Sequence, residues 1–185
     1  MKKTLVASLM TAALGVVSFS SFAAPAPAGT ITINGKLTAA TCTVKVNNSA
    51  TGDGIVNLPT LSTSKLATAG ATAGETNFLI KLSACNPQTG TVRAYFESGA
   101  NVDAASGRLN NAAASGGASN VQVELLTANA DVLAAGNTSQ RDVESNKVTL
   151  NAGAADMSYI ARYYATGATT AGDLQTAVTY SIDYN

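Results

Sequence analysis

Histidine and tryptophan are absent from this 185-residue sequence, cysteine occurs twice, and charged side chains make up only 12% of it. Each shortage removes a class of chemistry. Without histidine, Ser/His/Asp and Cys/His nucleophilic sites lose their usual base, and the commonest metal ligand is missing. A glycosidase needs two opposed carboxylates in a cleft, and a chain with no tryptophan has poor material for gripping sugar. Acidic residues are scattered singly. The closest pair, Asp142 and Glu144, sits in a polar stretch that reads as a solvated turn. Basic and acidic residues number 11 each. With no basic cluster among them, there is no electrostatic case for nucleic acid or anionic lipid. Gly52-Asp53-Gly54 lacks the strand–loop–helix context of a phosphate site. The chain reads as no enzyme, with no catalytic residue, metal or cofactor.

Long apolar runs are scarce too, with one exception. Lys2 and Lys3 precede an apolar stretch from Leu5 to Phe19, and Ser21-Phe22-Ala23 places small residues where a signal peptidase reads. At about 15 residues the run is short for a membrane span of roughly 20. Residues 1–23 are therefore expected to be a signal peptide, cut after Ala23. Loss of Lys2 and Lys3 would leave a slightly acidic chain, long enough for one domain with its own core. Cys42 and Cys85 both lie in the exported part. An even pair in an oxidising compartment predicts one disulfide, and its loop of roughly 40 residues would be worth about 4 kcal/mol in the chain-entropy model.

What is abundant is strand material. Runs rich in β-branched and aromatic residues recur between Gly, Asn, Ser and Asp punctuation. They are Ala40–Val46, Gly54–Leu58, Asn77–Ala84, Thr91–Glu97, Val121–Thr127, Lys147–Leu150, Tyr159–Ala165 and Thr176–Tyr184. Phe78, Ile80 and Leu82 alternate on one face of their run, as Val121, Val123 and Leu125 do, which suits half-buried antiparallel strands. The expected fold is all-β, two packed sheets of immunoglobulin type. Leu61–Gly74 reads as a short helical turn or loop, and Ser98–Asn120 as a long connection with a short strand near Arg108–Leu109.

Both ends of the exported chain alternate. Near the front, Gly29, Ile31, Ile33, Gly35 and Leu37 would face one way in an extended segment, with Thr30, Thr32, Asn34 and Lys36 facing the other. One face can enter an apolar groove while the other stays wet. Gly35 interrupts the apolar row, so a groove that receives it would be shallow there. Periodicity alone does not say whether this strand pairs within its own molecule or with a neighbour. The final residues, Val178-Thr179-Tyr180-Ser181-Ile182-Asp183-Tyr184-Asn185, form the second alternating run.

Four features in fixed order resemble the subunits of chaperone–usher fimbriae, and most of all the major subunit of type 1 fimbriae. They are GTITINGKLTAATC at Gly29–Cys42, LSAC at Leu82–Cys85, ARYYATGATTAG at Ala161–Gly172, and the terminal VTYSIDYN with its penultimate Tyr184. The resemblance implies an incomplete immunoglobulin-like sandwich, completed by a donated strand. It implies a donor-strand extension at residues 24–38, with Gly29, Ile31, Ile33, Gly35 and Leu37 as the inserting face, and a pilin domain at 39–185. Val178, Tyr180, Ile182 and Tyr184 would form the groove wall and the edge on which a chaperone docks. The implied partners are identical subunits in a homopolymer, a periplasmic chaperone, an outer-membrane usher, and tip or adaptor subunits. The implied place is a fimbrium at the cell surface, reached through the periplasm and supporting adhesion. A minor tip adaptor or adhesin of the same fimbria is the alternative role.

Overall fold

The structure, a computed structural model, describes residues 32–33, 39 and 41–184. The chain divides into two units, Met1–Leu37 and Thr38–Asn185. Within the first, Thr32 and Ile33 are the described residues, and Ile33 is 89% exposed. Gly29, Ile31, Gly35 and Leu37 of the expected inserting face, and the whole of the expected signal peptide, lie outside the described residues.

The second unit is built from nine strands: β1 (Thr41–Val46), β2 (Thr72–Asn86), β3 (Thr91–Phe96), β4 (Leu109–Asn110), β5 (Val121–Thr127), β6 (Val132–Leu133), β7 (Val148–Thr149), β8 (Ala155–Ala165) and β9 (Tyr180–Tyr184). Short 3-10 turns at Thr63–Leu66, Thr138–Arg141 and Glu144–Asn146 are its helical pieces among the described residues. One sheet has the order β1-β2-β8-β5-β4, with β6 also paired to β5; the other is β7-β3-β9. Every pairing between these strands is antiparallel.

Alternation places the core between the sheets. Phe78, Ile80 and Leu82 of β2, Val123 and Leu125 of β5, and Met157, Tyr159 and Ala161 of β8 meet Val92, Ala94 and Phe96 of β3 in one buried cluster. Phe78, Phe96 and Tyr159 form its aromatic centre, with ring centroids 5.3–6.4 Å apart. Such contacts between large apolar side chains are the main favourable term in folding. The Cys42–Cys85 disulfide joins β1 to the end of β2. Near its start β2 carries a bulge between Ala73 and Thr76. Gly74 sits there at φ +72°, a conformation that L side chains rarely adopt.

Several strand boundaries differ from the sequence reading. Gly54–Leu58 is not a strand, because its backbone enters no ladder among the described residues. The last strand begins at Tyr180 rather than Thr176, although the residues before it keep a strand-like alternation of half-buried and exposed positions. β6 was not anticipated. Asp142 and Glu144 are exposed as expected, but Val143 between them packs partly on the core, and Gln140 and Asn146 on either side are fully buried.

Those two amides have a clear task. Gln140 Oε1 accepts the Phe96 N–H at 3.0 Å while Gln140 Nε2 donates to the Phe96 carbonyl at 3.0 Å, much as a neighbouring strand would. Asn146 Nδ2 donates to the Ala94 carbonyl at 3.2 Å. The Ala94 N–H donates to the Tyr159 hydroxyl at 3.0 Å, which in turn donates to Asn146 Oδ1 at 2.9 Å. Beyond the two-residue β7, the far edge of β3 is thus sealed by side chains.

Candidate functional site: an unfilled groove beside β9

The opposite margin of this small sheet is different. β9 pairs with β3 on one side, and the Glu97 N–H donates to the Thr179 carbonyl at 2.9 Å, so Thr179, Ser181 and Asp183 direct their backbone groups towards β3. Alternation then turns the N–H and C=O groups of Thr176, Val178, Tyr180 and Ile182 the other way. None of them has a backbone partner among the described residues. An edge of this kind is a template for another strand.

Next to that edge lies a groove of about 1060 Å³. Its floor is the core itself: Phe78, Ile80, Phe96, Leu109, Val123, Leu125 and Ala161. One wall is the extended run from Leu174 to Ile182, and the other is the unladdered segment from Gly52 to Leu58. Val56 and Leu58 turn partly inward against the core, whereas Ile55 is 79% exposed. Thr176 Oγ1 is buried with no hydrogen-bond partner among the described residues. Among the described residues the sandwich is one strand short.

β9 is held firmly on its other face. Asp183 receives Arg141 Nε at 2.7 Å and lies 4.0 Å from Arg93 Nε, and the Ser181 hydroxyl donates to Glu97 at 2.6 Å. The Arg93 guanidinium also donates to the Arg141 carbonyl, and the Arg141 guanidinium covers the Tyr95 ring, 4.2 Å from its centroid. The hydrogen bond that Arg141 donates to Asp183 is the main cause that raises its guanidinium above the ordinary value. The wall is therefore rigid in its outer contacts and open along its inner edge.

Of the residues predicted for the wall, Val178, Tyr180 and Ile182 line the groove. Tyr184 lies beyond the lining, opposite Val92, and is partly packed on the core. The sequence reading missed the second wall and the Leu174–Ala177 half of the first. The inward pair Val56 and Leu58, separated by a polar residue, was a usable signal. It was read as an ordinary strand.

Fold and groove define a class: an incomplete immunoglobulin-like sandwich. The family described as FimA: Type-1 fimbrial protein, A, matches residues 58–185. The chain is 45% identical to the major fimbrial subunit SMF-1 of Stenotrophomonas maltophilia, over 92% of its own length and all of that protein. It is 41% identical to the F17 fimbrial protein of Escherichia coli, over 92% of its length and 96% of the relative. The P pilus rod subunit PapA superposes with a TM-score of 0.57 at 18% identity, covering 77% of this chain and 99% of that one, which shows a shared fold. The chain belongs to the type-1 fimbrial protein family. It is a fimbrial structural subunit and not an enzyme.

Proposed function

We propose that this subunit polymerises by donor-strand exchange: residues 24–38 of one copy fill the groove of the next. The donor face is Gly29, Ile31, Ile33, Gly35 and Leu37, and the body that receives it is residues 39–185. The observation that carries this reading is the unpaired Thr176–Ile182 edge beside a groove floored by core side chains. A donor strand there would ladder with that edge and lay its apolar face on Phe78, Val123 and Leu125. Burying Ile31, Ile33 and Leu37 at about 1.5–3 kcal/mol each offers roughly 5–9 kcal/mol before ordering costs. Each joint would bury a whole strand, so dissociation would be slow.

An unfilled groove is an aggregation hazard. A periplasmic chaperone that lends a strand, and an outer-membrane usher at which the subunits trade it, are the partners that such a surface calls for. Residues 1–23 would direct the chain to that compartment. The main role is the shaft of a surface fimbria, in line with a relative named as a major subunit. A minor tip position is favoured by 33% identity to the minor fimbrial subunit HifD of Haemophilus influenzae. Copy number per purified fibre separates the two, thousands for a shaft and one or two for a tip.

The direct experiment deletes Ala24–Thr38. The shortened subunit is expected to accumulate with its chaperone and to build no fibre. Fibres of normal length from that deletion would refute the exchange.

A further inference from the structure

The second wall of the groove packs Val56 and Leu58 partly on the core but has few hydrogen bonds to hold it. From Gly52 to Pro59 it enters no ladder, and among the described residues three side chains reach its carbonyls. Asn47 Nδ2 approaches the Ile55 carbonyl at a marginal 3.4 Å. The other two contacts come from tyrosine hydroxyls at the ends. Tyr180 donates to the Gly52 carbonyl at 2.6 Å, and Tyr163 donates to the Pro59 carbonyl at 3.3 Å.

Their origins matter. Tyr163 stands on β8 in the large sheet, and Tyr180 on β9 in the small one. One phenol from each sheet thus ties down one end of the same segment, and the segment spans the mouth of the sandwich between them. The space for both rings depends on glycine. A Cβ on Gly52 would lie 3.3 Å from the Tyr180 hydroxyl, and one on Gly74 would lie 2.9 Å from Tyr163 Cδ2. Burial raises both phenols above the ordinary tyrosine value, with Asp53 adding to the effect at Tyr180, so both remain donors.

We infer that Tyr163 and Tyr180 are positioning residues. They pin the two ends of the 52–59 wall and so fix its path along the groove, while Val56 and Leu58 pack partly against the core between the pins. Between the pins, apart from the Asp53 N–H on Thr51 Oγ1 and the marginal contact at the Ile55 carbonyl, no backbone group of residues 53–58 has a partner among the described residues. The inference deepens the donor-strand reading and rests on it for the identity of that strand. The pinning itself is a property of the unfilled subunit.

The test uses the full-length subunit with Tyr163→Phe, Tyr180→Phe and the double substitution, which keep both rings and remove only the hydroxyls. Cleavage by thermolysin before Ile55, Val56 or Leu58, located by mass spectrometry, is read alongside the thermal midpoint and the association rate of a labelled Ala24–Thr38 peptide. In the double variant, the initial rate of cleavage within 53–58 is expected to rise at least about tenfold, with the midpoint moved by only a few degrees. Each lost hydroxyl is expected to slow peptide association about fivefold, the factor that one net hydrogen bond is worth. Unchanged cleavage at 53–58 overturns the pinning, as does an equal rise throughout the sandwich, which would mean general loosening. If cleavage rises locally but the unaltered subunit captures no peptide, the pins stand and the donor-strand reading falls.

Discussion

Glu124 and Arg162 face each other directly across β5 and β8, with Arg162 Nη2 2.7 Å from Glu124 Oε2. The Glu124 side chain is 4% exposed, and its other oxygen receives Arg108 Nε at 3.0 Å. Arg162 reaches further to Glu75 at 2.9 Å, and the Arg108 guanidinium lies over the Tyr164 ring. Glu124 is therefore the hub of a four-residue ion network on the sheet face turned away from the core. Removing one partner of a buried pair leaves the other charges uncompensated. Glu124→Ala is expected to cost about 2–4 kcal/mol, read as a lowered midpoint in denaturant unfolding. A change below about 0.5 kcal/mol would show that the arginines find water instead.

Tyr159 gives a pH signature. Burial pushes its phenol up to about 12, against the lowering influence of the Ala94 amide and Arg93. A free tyrosine titrates near 10. An acid whose folded value is raised contributes stability that is complete below about pH 10 and is lost as the pH rises through about 12. The expected loss across that window is about 2–3 kcal/mol. Tyr159→Phe should flatten this part of the stability–pH curve, and a curve equally steep without the hydroxyl would place the base sensitivity elsewhere.

The Cys42–Cys85 bond anchors the edge strand β1, which also forms part of the groove lining through Val44 and Val46. Cys42→Ser with Cys85→Ser is expected to lose about 2–4 kcal/mol and to lower the yield of exported subunit. Yield measured by immunoblot of periplasmic extracts checks this, and an unaltered level would make the bond dispensable.

Val178→Pro separates folding from assembly. The Val178 amide points along the open edge and serves no ladder among the described residues, and extended backbone tolerates proline. The subunit should fold with its thermal midpoint within a few degrees of the unaltered protein, while its capture of the Ala24–Thr38 peptide falls at least about tenfold. Normal capture would remove this edge from the joint.

Gly35→Leu probes the other half. A side chain at this break in the apolar row is expected to slow or block fibre assembly while leaving the chaperone complex intact. Assembly at the normal rate, followed by electron microscopy of fibres over time, would dispose of the shallow position assigned to Gly35.

The strands were legible where side-chain alternation and burial coincide. β3, β5 and the Phe78–Leu82 part of β2 carry their own inward faces, so local pattern and tertiary structure agree. Gly54–Leu58 has the same alternation, but a strand also needs a neighbour to bond, and no local signal reveals whether one is present. The same lack accounts for Thr176–Val178, which enter no ladder among the described residues. Gln140 and Asn146 were invisible for the opposite reason. Polar residues in a polar stretch give no hint that they are buried, because their partners, the backbone groups of Phe96 and Ala94, lie 44 and 52 positions away in the chain. The terminal alternation marks Val178, Tyr180 and Ile182, which line the groove, whereas the facing segment from Gly52 to Leu58 shows only in the fold.

The amide plug of Gln140 and Asn146 bears on what shape of polymer this monomer can give. In polymer chemistry the number of reactive ends per unit decides between lines and networks: two ends grow a thread, and a third makes a gel. By plugging the far margin of β3 with its own side chains, the subunit gives up a valence there, so the proposed growth beside β9 would meet no branch point at that margin.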